Sequence, residues 1–183
     1  MSKRERILEE ATNIIREKGI NNLTLDAVAA AAEISKGGFL YHFHNKEDLI
    51  RALNEQALAE TKALMDEEMK SGKGYTLAYL NVAALPTDPL CTWSLATSVL
   101  AGSTSESREV LSMWETEYQT FLEKSASENI PPELALVIRL VCDGLCFSDL
   151  FNLAPVSPSD RKQIVQFLTS LREKSPTSKS CEA

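Results

Sequence analysis

Only two histidines occur in 183 residues, His42 and His44, and both precede residue 50. The rest of the chain has no imidazole for acid–base work or for completing a metal site with its cysteines. It also shows no nucleophile motif, no glycine loop for phosphate and no carboxylates clustered on one face. An enzyme is not expected, and no cofactor or metal is implied. The four cysteines, Cys91, Cys142, Cys146 and Cys181, are too sparse for a disulfide framework and should be reduced. No long apolar run occurs. The longest uncharged stretch, Pro89 to Ser105, holds Pro, Gly, Ser and Thr and is too short and polar to span a bilayer. Met1-Ser2-Lys3-Arg4-Glu5-Arg6 has no apolar stretch behind it and is not a secretory signal. A soluble, cytoplasmic protein with no membrane partner is expected.

Excess positive charge is absent as well. Lys and Arg total 19 against 26 Asp and Glu, a net charge of −7. A uniformly basic coat for nucleic acid is excluded. The charge is uneven, however: residues 1–51 hold eight basic and eight acidic residues, so the remainder carries all of the excess negative charge. A neutral head on an acidic body still permits a local basic face. Apolar residues make up 44% of the chain, enough to bury a core, which excludes disorder throughout.

The periodicity is helical nearly everywhere, and no alternating strand pattern of useful length occurs. Ile7, Leu8, Ala11, Ile14 and Ile15 share one helical face, and Gly19 follows where a helix usually ends. Asn21 and Asn22 make a turn. Thr24 is a good N-cap, and Asp26 suits the positive end of the helix it opens. Leu25, Val28, Ala29 and Ala32 give a short helix with a small-residue face. Ser35 caps another, Lys36 to Phe43, anchored inward by Phe39 and Phe43. Gly37 and Gly38 weaken that helix by roughly 1 kcal/mol each relative to Ala, which suggests a backbone that comes close to something. Asn45 caps a longer helix to about Met69, with Asp48 at the capping-box position and Leu49, Leu53, Ala57 and Leu64 as its stripe. Ser71-Gly72-Lys73-Gly74 is a break and a candidate hinge. Helices follow over Tyr75–Leu85, Leu90–Ala101, Glu106–Ser127, Pro132–Asn152 and Ser159–Glu173, with a frayed polar end.

Two short helices joined by a tight turn make a helix-turn-helix, which lays its second helix in the DNA major groove. The segment Ile34-Ser35-Lys36-Gly37-Gly38-Phe39-Leu40-Tyr41-His42-Phe43-His44-Asn45-Lys46-Glu47-Asp48-Leu49 resembles the recognition helix and following turn of the TetR family of bacterial transcription regulators. Leu23-Thr24-Leu25-Asp26-Ala27-Val28-Ala29 is similar to that family's first short helix. The specific resemblance covers roughly residues 3–53. It implies that Thr24, Tyr41, His42 and Lys46 hold phosphates, while Ser35, Lys36, Gly37 and Gly38 face base edges. Lys36 is then the side chain expected at or near a base, because the glycines have none to read with. The family often has an aromatic residue where Leu40 stands; Leu40 would touch a thymine methyl or simply pack. His44 reads as a surface or capping histidine.

The resemblance also implies a homodimer on a palindromic operator and a body that binds a small-molecule effector, with release of the DNA when the heads leave a spacing of about 34–36 Å. The helix Asn45–Met69 would be the lever. The expected organisation is all-α, about nine helices. A three-helix DNA-binding head at residues 1–46 precedes a ligand-binding and dimerisation body at 47–173 and a flexible tail at 174–183.

Pro132–Asn152 carries two apolar stripes: Leu134, Val137, Ile138, Val141 and Leu145, then Leu136, Leu140, Phe147 and Phe151. A helix apolar on two faces is covered on both. A dimer interface is expected through Val137, Ile138, Val141, Leu145, Ile164, Phe167, Leu168 and Leu171. Trp93, Met113, Trp114, Tyr118, Phe121 and Phe147 are candidates to line an effector pocket. Arg139 and Asp143, at i and i+4, are expected to form an intrahelical ion pair. Cys142 and Cys146 read as small core residues ahead of thiol redox sensors. The alternative to a repressor is a helical interaction scaffold without DNA binding; the set Thr24, Lys36, Tyr41, His42 and Lys46 argues against it.

Overall fold

Apolar residues at helical spacing can be buried only if each helix finds a cover for its stripe, and the computed structural model shows where those covers are. The structure describes residues 1–18, 22–85, 105–150 and 153–174. Among these, eight helices and no strand occur: α1 Lys3–Lys18, α2 Leu25–Ala31, α3 Lys36–His42, α4 Lys46–Lys70, α5 Tyr75–Ala84, α6 Ser105–Ser127, α7 Pro132–Leu150 and α8 Pro158–Lys174. The expected helix over Leu90–Ala101, Trp93, Cys91, Phe151 and the end from residue 175 lie outside the described residues. So does Gly19.

The chain forms two compact units. One is built on Met1–Ala59 and the part of α6 before Met113; the other on the chain from Glu60 through α5 and from Met113 onward. In the first, the α1 face Ile7, Leu8, Ala11, Ile14 and Ile15 is buried against Val28 and Ala29 of α2, Phe39 and Phe43, and Leu49 and Leu53 of α4. Phe39 is 1% exposed, and its ring centroid lies 5.8 Å from that of Phe43. Phe43 itself follows α3, which ends at His42. Glu33, in the turn between α2 and α3, takes a left-handed φ of 53°.

In the second unit, Leu80, Phe121, Ile130, Ala135, Ile138, Cys142 and Leu168 make the core, and α5 contacts both α7 and α8. Long-range polar contacts, invisible to periodicity, fasten it. The Glu128 carboxylate accepts from the Tyr75 amide and, at 3.1 Å, from the Thr76 amide, capping α5 from beyond the end of α6. A Cβ on Gly74 would run into that carboxylate and displace the cap, so Gly74 suits the close approach of Glu128. Gly72 is required by conformation, with φ of 88°. The Ser71–Gly74 break is thus a turn tied down by Glu68, which pairs with Lys73 and accepts from Asn81 at 2.8 Å. Arg161, 3% exposed, pairs with Asp149 and donates to the Val156 carbonyl at 3.0 Å.

One stripe expectation needs correcting. Leu64 is exposed, and Met65 takes the buried place, packed with Ala78 and Val82. The α4 stripe read from Leu49, Leu53 and Ala57 belongs to the first unit. Beyond Ala59 the helix packs in a different unit and buries a different face.

Candidate nucleic-acid interface

α2 and α3 contact each other, and each opens on a capping hydroxyl. Thr24 Oγ1 accepts from the Ala27 amide and Ser35 Oγ from the Gly38 amide, both at 3.1 Å. Each hydroxyl has spent acceptor capacity only. Its O–H remains a donor, next to helix-start amides that need acceptors themselves. Phosphate oxygens accept from such groups. At the other end of α3, Tyr41 is 82% exposed and lies edge-on to His42, the centroids 5.1 Å apart. Lys46 opens α4 half-buried.

Lys36 departs from the rest. Its Nζ lies 2.9 Å from Asp26 Oδ1, in the first turn of α2. Spacing alone suits Asp26 to the start of α2 and carries no sign of this pair. The available signal is a pair of opposite charges, each in the first turn of one of two short helices. Gly37 has open space where a Cβ would stand, and a Cβ on Gly38 would meet Ser35 Oγ at 3.2 Å. The close approach at Gly38 is therefore partly to its own cap; at Gly37 nothing within the chain requires the glycine. Leu40 is exposed beside them. His44 turns to its own turn: its Nδ1 is 3.2 Å from the Leu40 carbonyl, and its amide donates to Asp48 Oδ2 at 3.1 Å. Asp48 in turn donates its amide to Asn45 Oδ1 at 2.7 Å. The expected capping box is present, reaching back one residue further than its usual form.

A family model described as "Tetracyclin repressor-like, C-terminal domain" matches residues 73–173, more than half of the chain, and one described as "Bacterial regulatory proteins, tetR family" matches residues 7–53. The chain belongs to the tetR family. It is a DNA-binding transcription regulator of helix-turn-helix type. The Staphylococcus epidermidis biofilm operon icaADBC HTH-type negative transcriptional regulator IcaR is 33% identical over 48 residues, 26% of each chain, so the match spans about a quarter of that regulator's length. A transcriptional regulator from Rhodococcus sp. Rha1 superposes with a TM-score of 0.74 at 17% identity, covering 93% of this chain and 96% of its own. The multidrug binding protein EbrR, solved with imidazole, superposes at 0.58 with 24% identity, covering 92% and 95%. These two likenesses show the fold.

The tetR-family body holds its expected site residues in two different settings. Phe121 is a core residue, its ring 4.5 Å from that of Tyr79. Met113, Trp114 and Tyr118 are half-buried along α6, and Phe147 is exposed on α7. Arg139 and Asp143 do not form the expected ion pair, because Tyr118 intervenes. The Arg139 guanidinium stacks 4.9 Å from the Tyr118 ring centroid, and the Tyr118 hydroxyl donates to Asp143 Oδ1 at 3.0 Å. Arg139 Nε is buried without a hydrogen-bond partner. Burial pushes the Asp143 carboxyl up, against the Tyr118 hydrogen bond and the Arg139 charge, which hold it down. Burial, then the Asp143 charge, pushes the Tyr118 phenol up. Cys142 is buried and its thiol is raised by that burial, a setting in which a thiol is inert.

The residues expected at a dimer interface are mostly buried or half-buried within the chain instead. Ile138, Leu145 and Leu168 are buried within the chain, and Val141, Ile164 and Leu171 are half-buried around the core. Only Val137 and Phe167 of the expected set are exposed; Leu136, Leu140 and Phe147, the second stripe of α7, stand exposed with them. The first stripe, Val137 apart, packs in or around the core, where α5 contacts α7. Leu136, Leu140 and Phe147 of the second stripe stay exposed.

Proposed function

We propose that this tetR-family chain is a homodimeric repressor that binds a palindromic operator through α2 and α3 and releases it when a small-molecule effector occupies the body. The division this implies is a DNA-binding head at residues 1–46 and a ligand-binding, dimerising body at 47–173. The observation that carries the reading is the set of donor groups around the helix-turn-helix: the Thr24 and Ser35 hydroxyls at the two helix starts, then Tyr41, His42 and Lys46. A duplex offers acceptors for such donors from its phosphates.

Dimerisation is supported by the exposed apolar stripe Leu136, Leu140 and Phe147 and by Phe167, 62% exposed on α8. Gly144 lies in the same part of α7, and a Cβ there would meet nothing within 4 Å among the described residues. A mid-helix glycine costs roughly 1 kcal/mol, and a second helix packing closely against it is a reason to keep it. The effector part is supported by Arg139, Tyr118 and Asp143, whose polar capacity is only partly used within the chain. Repression is supported by the likeness of 48 residues of the chain to the negative regulator IcaR.

The test is fluorescence anisotropy of the purified chain on a labelled duplex from upstream of its own gene, with excess unrelated DNA and varied salt. Competitor-resistant binding that a small molecule reverses is the expected result. Binding that vanishes with competitor on every duplex selected from a random pool would overturn it.

A further inference from the structure

The Lys36–Asp26 contact joins the one charged side chain in the first turn of the recognition helix to a carboxylate on the helix that precedes it. Both side chains are well exposed, 66% and 74%. Neither is held by burial, so each stays with the other only while nothing better is near. A lysine in this place has a flexible stem and a compact charge. Left to itself it would reach the nearest phosphate, and a duplex presents one charge per about 1.7 Å of axis whatever its sequence. Such a lysine adds affinity for all DNA and discriminates nothing.

We propose that Asp26 is a positioning residue for sequence discrimination, acting through Lys36; the proposal rests on the reading of α3 as the element that faces base edges. On random DNA, a phosphate that draws Lys36 is brought up against the Asp26 carboxylate, and the two anions repel; a guanine O6 and N7 are neutral acceptors and meet no such repulsion. On an operator that places a guanine O6 and N7 in front of α3, the ammonium has three hydrogens to share. It can donate to the base while keeping one hydrogen on Asp26. The glycines at 37 and 38 leave the space around the Lys36 stem free of side chains: a Cβ at 37 would stand in the open. The carboxylate thus removes the general use of Lys36 and leaves the specific one.

The experiment uses the full chain. Wild-type protein selects a tight duplex from a random pool. Binding to that duplex and to a scrambled one is then followed by anisotropy over a range of salt. Asp26→Asn is expected to tighten binding to the scrambled duplex by about twofold to fivefold, the scale of an exposed ion pair. Its salt slope should steepen towards one further phosphate contact. Binding to the selected duplex should change less, so the ratio between the two falls. In a Lys36→Ala background, Asp26→Asn should leave the ratio unchanged. Equal tightening on both duplexes, or the same effect with and without Lys36, would show plain charge repulsion and overturn the proposal. Asp26→Ser, which keeps a short polar residue in the first turn of α2, must reproduce Asp26→Asn; if it does not, the effect belongs to the helix and the proposal fails. A wild-type chain that selects no duplex at all would instead defeat the DNA-reading assignment, and this proposal with it.

Discussion

The helices α1 and α7 are close in length, and they use apolar residues in opposite ways. α1 gathers Ile7, Leu8, Ala11, Ile14 and Ile15 on one face and buries all five. α7 buries Ala135, Ile138, Cys142 and Leu145 on one face, then leaves Leu136, Val137, Leu140 and Phe147 outside. The same contrast holds beyond these two helices. Among the described residues of 1–59 the exposed large hydrophobics are Met1, Leu40 and Tyr41, two of them on α3. Past the terminal Met1, this stretch exposes large apolar side chains only on α3 among the described residues. A body with apolar area to spare is what the proposed homodimer would cover.

The largest expected effect falls on the finished core. Phe39→Ala should destabilise the head by about 3–5 kcal/mol, read by denaturant unfolding; a cost near zero would mean Phe39 is not the anchor it appears in the packing. On the other side of the comparison, Leu140→Glu should leave the monomer folded and weaken self-association by about 2 kcal/mol or more, the scale of an interface hot spot. Sedimentation velocity reads this directly, with Ile138→Ala as the contrasting variant that costs fold stability instead. A Leu140→Glu chain that sediments as wild type does would move the dimer face elsewhere.

A smaller effect separates the donors of the head. Lys46→Ala should make the salt dependence of DNA binding shallower by about one unit and weaken all duplexes alike. Tyr41→Phe, which removes only the hydroxyl, should cost about 1 kcal/mol. An unchanged slope for Lys46→Ala would take Lys46 off the phosphates.

The smallest effect tests the polar cluster of the body. Burial raises the Asp143 carboxyl above its ordinary value of 3.8, so the folded chain binds that proton more tightly than the unfolded one. The stability this contributes is present at low pH and is lost as pH rises through the raised value. Asp143→Asn is neutral throughout and keeps an oxygen for the Tyr118 hydroxyl. Its stability relative to wild type should therefore climb as pH rises from about 4 and then level off. A difference that is flat with pH would show that Asp143 titrates normally.

Much of this was open to reading along the chain. The head is local: Thr24 to Ala27, Ser35 to Gly38 and Asn45 to Asp48 are bonds between residues three apart. Caps and stripes of that kind follow from spacing. The ion pair expected between Arg139 and Asp143 followed from the same rule and failed, because Tyr118 reaches in from a different helix. Glu128 capping α5 and Arg161 paired with Asp149 join residues whose spacing carries no helical signal.

The sequence by itself determined the helices, their caps, the inward face of the head and the family resemblance of residues 3–53, since each is a matter of periodicity or of motif within a few turns. Only the tertiary structure decided which stripe of α7 is core and which is surface, and which partners Lys36, Arg139 and Asp143 have. Two apolar stripes on one helix are equivalent until a second helix covers one of them, and a charge chooses among partners by distance in space.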